Sequence, residues 1–149
     1  MTVRWILAAL HLLALGIGLG AIWWRARSLR GHLDQSGIRR ILFADTLWGI
    51  AALLWISTGL VRAFSGLEKG SAYYLASSAF WIKMSLLALV LLLEIFPMIT
   101  FINWRIKLSR REPVDTSRVG LFANISLIQV VLIIVMVFTA TAMARGLGA

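Results

Sequence analysis

The sequence predicts an all-α fold, a four-helix bundle integral to the membrane, with both termini on the outer (periplasmic) side. Three observations carry this. Four apolar stretches of about 20 or more residues punctuate a chain of 149, each long enough for a ~30 Å hydrocarbon core. Only 14% of the residues are charged and 60% are hydrophobic, with mean hydropathy +0.89, where soluble domains carry about 25% charged residues. The basic residues gather in two of the three connections, which fixes an orientation.

The first span is expected at about 5–24. A single Arg4 precedes it and the strongly basic segment follows it, the reverse of a cleavable secretory signal, so the helix is read as uncleaved. The others are expected at about 41–61, 80–104 and 119–143, giving one membrane domain over 1–149. The connections are too short to bury a soluble core. The stretch 25–40 holds Arg25, Arg27, Arg30, Arg39 and Arg40, and 105–118 holds Arg105, Lys107, Arg110, Arg111 and Arg118, against Arg62 and Lys69 in the middle connection. By the positive-inside rule the two basic stretches face the cytoplasm. Trp5, Trp23, Trp24, Trp81 and Trp104 fall near span ends, as an interfacial belt does. Tyr73 and Tyr74 put the middle connection at headgroup level. Asp115-Thr116-Ser117 reads as a cap before the fourth helix.

The net charge of +9 is read as span-flanking charge that touches anionic lipid, with no nucleic-acid partner. With no cysteine, disulfides, thiolate metal sites and Cys-attached haem are excluded. GIGLG lies inside a span, not after a strand, so it is no nucleotide loop.

The third span carries two charges, Lys83 and Glu94. Each resists a helix centre in lipid by about 2.5–3.5 kcal/mol on insertion scales. Eleven residues at 100° apiece overshoot three turns by about 20°, so the two share a face with Leu87, Val90 and Phe101, directed into the bundle. About 16 Å of axial rise separates them, so each needs a partner on another helix. Pro97 predicts a kink beside Glu94.

Polar residues at membrane depth fall into two layers. His11, Lys83 and Arg62 form an outer one; Asp45, Glu94 and Asn124, with Gln129 slightly deeper, form an inner one whose acids find partners in Arg25, Arg27 or Arg105. Interhelical hydrogen-bond glue, worth about 0.6–2 kcal/mol per contact, is the plain reading; an ion or proton path is the functional one. His11 is the one histidine inside a span and offers a haem-iron ligand, a proton shuttle or a simple hydrogen bond. Gly18, nearly eclipsed with it, leaves room for a flat ring. Gly16 and Gly20 form a GxxxG on the other side, a face for a second copy. Trp48, Trp55 and Arg62 line one stripe of the second helix, more often packing than a cofactor wall.

Two resemblances follow. The segment EKGSAYYLASSAFWIKM, with a helix ending in PMITFINWR, resembles an uncharacterised family of bacterial four-helix inner-membrane proteins over nearly the whole chain. More distantly, Leu10-His11 with Arg27, and Tyr74-Leu75 with Trp81 and Lys83, resemble the superfamily of HemJ-type protoporphyrinogen oxidase and the CopD-like copper-resistance domain. That second resemblance implies haem b, with His11 as iron ligand and Lys83 as its functional, catalytic partner. The tryptophan-glycine motif after the histidine is Gly18-Leu19-Gly20 here, and Ala26 stands where a proline precedes the arginine. Three functions therefore stand side by side: a haem-binding redox protein in which Lys83 and Arg62 meet haem propionates, a transporter or channel subunit using Lys83, Glu94 and Asp45, and a non-enzymatic accessory protein.

Overall fold

A computed structural model describes residues 2–146. The described residues form five helices: α1 (Thr2–Leu29), α2 (Gln35–Phe64), α3 (Ser71–Ala76), α4 (Ser78–Ser109) and α5 (Val119–Ala144). Four of them, all but α3, are long and apolar enough to cross a bilayer. Short connections make sequential helices alternate in direction. The α1–α2 and α4–α5 connections therefore share one end of the bundle, here the basic end. The other, the termini end, holds the start of α1, the end of α5 and the α2–α4 connection. Large apolar side chains such as Leu12, Leu53, Leu92 and Phe138 are more than 60% exposed, which in water would be untenable and in lipid is the expected outer surface.

The helices close a ring in which α1 packs along α2, α5 lies against α1 and α4, and α2 and α4 meet least closely. The α1–α2 seam is tight because small residues line it. Ala14, Ala21, Ala44 and Ala51 are buried, and a Cβ on Gly18 would sit 3.1 Å from the Trp48 ring. Without a hydrophobic drive between helices in lipid, such close backbone approach is what holds two spans together. The flat ring that Gly18 makes room for is thus the Trp48 indole. Gly16 and Gly20 have nothing within 4 Å; within this chain the GxxxG face packs against nothing.

Helix ends depart from expectation in four places. The basic stretches are mostly helical: Arg25 and Arg27 belong to α1, Arg39 and Arg40 to α2, Arg105 and Lys107 to α4. Asp34 caps α2, its Oδ1 accepting from the Gly37 N–H at 2.7 Å, the satisfaction of an orphan donor that Asp supplies well. Asp115 instead turns back on its own connection, accepting from Ser117 N–H, and α5 begins after Arg118 with no side-chain cap. The middle connection contains α3, which the sequence pattern gave no sign of. One further residue of the third span, Trp104, behaves differently from the forecast. α4 continues through Pro97 as one helix, and Trp104 leaves the interfacial belt to lie 2% exposed against Phe101, ring centroids 5.3 Å apart.

Candidate functional site

Two polar clusters lie inside the bundle, and they differ in what they leave unpaired. Toward the basic end the centre is Arg25, fully buried. Its guanidinium has five N–H donors and five acceptors meet them. Nε donates to Ser126 Oγ at 3.1 Å. Nη1 donates to Asp45 Oδ1 at 2.9 Å and Glu94 Oε1 at 2.6 Å. Nη2 donates to Glu94 Oε2 at 2.8 Å and Gln129 Oε1 at 2.9 Å. Gln129 Nε2 donates to Glu94 Oε2 and to the Val90 carbonyl, and Ser126 Oγ donates to the Phe122 carbonyl. Arg105 Nη2 donates to the remaining Asp45 oxygen at 2.9 Å and to the Leu42 carbonyl. Two arginines face two carboxylates, so the cluster is neutral, and it ties α1, α2, α4 and α5 together.

The inner layer expected from sequence is thus half assembled as foreseen. Asp45, Glu94 and Gln129 come together, and Lys83 and Glu94 do not pair. Asn124 does not join them: it is exposed and accepts from Arg30 Nη2 at 2.7 Å. Its place is taken by Ser126, two residues on and about 200° around α5. Arg27 is exposed as well. Arg25, which the sequence offers both as a basic-stretch charge and as one of three partners for the acids, lies inside beside Ile22, Ala26 and Leu29, all buried.

Toward the termini end lies a cavity of about 340 Å³, within the range of about 300–1,000 Å³ typical of small-molecule sites. Leu15, Leu87, Met84 and Met136 give it apolar, adaptable walls. His11, Trp55, Arg62, Glu68, Tyr74 and Lys83 line it too, so the three residues of the expected outer layer do share one space. Glu68 and the tyrosines were not singled out from sequence as site residues.

His11 Nδ1 stands 3.0 Å from Thr58 Oγ1. The Thr58 hydroxyl lies within bonding distance of the Leu54 and Trp55 carbonyls, at 2.6 and 3.1 Å, and donates its one proton there. Toward His11 it accepts, which assigns the proton to Nδ1 and the lone pair to Nε2. Gly59 allows this ring position: a Cβ there would sit 3.0 Å from His11 Cε1. Arg62 Nε donates to Glu68 Oε1 at 2.6 Å, and Tyr74 O–H donates to Glu68 Oε2 at 3.0 Å. Burial opposes the Glu68 charge, but the hydrogen bonds from Arg62 and Tyr74 outweigh it and hold the carboxyl below its usual range. Burial, with the bond to Glu68, pushes the Tyr74 phenol up to about 12.

One donor in the cavity is unmet. Lys83 makes no hydrogen bond or salt bridge to any described residue; its charged neighbours are Arg62 and Glu68. Trp55 Nε1 is the one fully buried side-chain polar atom among the described residues with no hydrogen-bond partner, a burial that ordinarily costs about 1–3 kcal/mol; the atom itself is closed off from the cavity. No group of three or more His, Asp or Glu side chains suited to a metal ion occurs among the described residues.

Fold and clusters together define a four-span integral membrane protein with an amphipathic cavity at its termini end. The chain belongs to the family described as "Predicted membrane protein (DUF2214)", whose model matches residues 3–148. No curated protein and no solved structure matches it.

Proposed function

We propose that this protein binds an amphiphile with an acidic head, body in the apolar cavity and head on Lys83. The single observation behind this is the Lys83 ammonium, which lines the cavity without any hydrogen bond or salt bridge to a described residue. An ammonium half-buried at membrane depth needs an anion or water, and a carboxylate or phosphate supplies charge-assisted hydrogen bonds.

Haem b, whose iron His11 would hold, is one member of that class. The protonated Nδ1 on Thr58 leaves Nε2 as the ligating nitrogen, the arrangement in which a histidine's other ring N–H is held by a fixed acceptor. His11 would hold the iron, and Lys83 with Arg62 would meet the propionates. Haem would supply one-electron redox chemistry; the chain would supply the ligand, its orientation and a largely water-free pocket. Lys83 would then serve as the functional partner of the group.

The ion-path reading is less favoured. Every Arg25 donor and both Asp45 oxygens are already committed, so Asp45, Glu94 and Gln129 form a clasp and Asn124 stands outside it. An accessory role remains compatible with the clasp, since it asks only for a stable bundle.

We place the cavity and both termini on the periplasmic side of a bacterial inner membrane. With Arg25 and Arg105 withdrawn into ion pairs, Arg27, Arg30, Arg39, Arg40, Lys107, Arg110, Arg111 and Arg118 still oppose only Asp34, Glu112 and Asp115 at the basic end. That surplus favours the cytoplasm and anionic lipid.

The test uses full-length protein in nanodiscs of zwitterionic lipid. Dodecanoate is expected to bind and dodecanol to bind at least about tenfold more weakly, a difference that Lys83→Met removes. Equal affinity for acid and alcohol in the wild type overturns the head-group assignment. A haem titration followed by visible absorbance forms the second arm: a Soret band that His11→Ala abolishes supports haem, and no band in the wild type removes haem from the class.

A further inference from the structure

The positive charge of the cavity is held partly in check by a carboxylate of the chain's own. Arg62 spends only Nε on Glu68; it makes no other hydrogen bond to a described residue. Its paired Nη donors, the part of a guanidinium best shaped for a carboxylate or phosphate, are therefore unused. Glu68 itself sits on the connection between α2 and α3, not on a helix. Gly66 at φ 72° and Gly70 at φ 83° flank it, in a backbone region that glycine enters at little cost. Moving Glu68 off Arg62 needs a change in that connection alone. Lys83, beside both, carries the surplus charge.

We propose that Glu68 is a resident stand-in for the ligand's own acid: held in place by Tyr74, it occupies an anion subsite at Arg62, and a doubly charged head such as an alkyl phosphate displaces it and bridges Arg62 to Lys83. This rests on the amphiphile reading above. A singly charged head neutralises Lys83 while Glu68 stays in place. A dianionic head beside Glu68 meets like-charge repulsion, and two cations without Glu68 balance its charge. Glu68 therefore sets the selectivity of the cavity between singly and doubly charged heads.

Binding of dodecyl phosphate, dodecanoate and dodecanol is measured on the full-length protein in zwitterionic nanodiscs by tryptophan fluorescence. Glu68→Gln is expected to bind dodecyl phosphate about tenfold tighter than wild type and dodecanol unchanged. Tyr74→Phe, which removes one bond to the carboxylate and keeps the ring, is expected to shift affinity the same way by less. Phosphate affinity unchanged or weakened in both variants overturns the proposal; if dodecanoate still depends on Lys83, the amphiphile reading survives that failure. Loss of the Lys83 dependence instead removes the amphiphile reading and this proposal with it. Nanodiscs doped with phosphatidic acid separate the sources of such a head: competition that strengthens in Glu68→Gln supports the subsite with a bilayer lipid as occupant. Competition absent while dodecyl phosphate responds supports it with a free amphiphile.

Discussion

Arg25 and Arg62 are both arginines facing a glutamate 2.6 Å away, and they lead to opposite expectations. Around Arg25 all five donors are met inside the bundle, and truncation leaves two buried carboxylates short of a partner. Removing one partner of a buried ion pair costs about 3–5 kcal/mol, so Arg25→Met is expected to lower stability by that order in denaturant titrations of detergent-solubilised protein. Arg25→Lys is expected to recover less than half of it, because an ammonium has three donors and no planar fork. At Arg62 the pair is a quarter exposed and its loss is expected to cost under about 1 kcal/mol. The Glu68 carboxyl, held below its ordinary 4.5, adds stability that is complete above that value. This contribution disappears as the pH falls through the lowered one. Tyr74 works the other way: its hydrogen bond holds below 10.0 and is lost as the pH climbs toward about 12. Amide hydrogen exchange across 65–77, corrected for intrinsic rates, is expected to be flat from about pH 6 to 9 and to quicken below about pH 4.

At the scale of helices, the seams follow from residue size. Gly18 lies under Trp48 with 3.1 Å to a built Cβ, whereas Gly16 faces open space. Gly18→Leu is expected to cost about 1–3 kcal/mol by overpacking. Gly16→Leu is expected to change monomer stability by less than about 0.5 kcal/mol. If the Gly16/Gly20 face joins two copies, Gly16→Leu separates them without unfolding either, and mass measurement in detergent reads this directly. The spans were legible because continuous apolar length is a strong signal, and the face carrying Lys83, Val90, Glu94 and Phe101 was legible because helical geometry fixes it. Helix ends were not: nothing in the composition separates Arg25, which turns inward, from Arg27, two residues and about 200° away, because the choice depends on which acids the neighbouring helices present. The same reason put Asn124 in the wrong layer and left Ser126 out.

Across the whole molecule the polar residues divide by end. The basic-end cluster is neutral and saturated, a device for holding four helices; the termini-end cavity keeps an ammonium unmet. The first was half visible in the sequence, as acids at matching depth. The second was visible as the trio His11, Arg62 and Lys83, but not Glu68, because a charged residue in a polar connection gives no hint that it folds back. A ligand that binds only the folded state adds stability by mass action, about 2.7 kcal/mol at a hundred times its Kd. Dodecanoate is therefore expected to raise the midpoint of thermal unfolding in the wild type and to leave Lys83→Met unmoved.

The Arg25 clasp also bears on the order in which the chain is made. Its donors come from the first span and its acceptors from the second, third and last. A ribosome that has released α1, α2 and α4 has supplied both carboxylates, yet Ser126 and Gln129 are still to come. Until α5 enters, two guanidinium donors lack their partners at membrane depth and Glu94 Oε2 has Arg25 alone. Of these four spans α5 is thus the one that completes the partners of α1, and a nascent chain stopped at Ser109 still carries two unmet Arg25 donors.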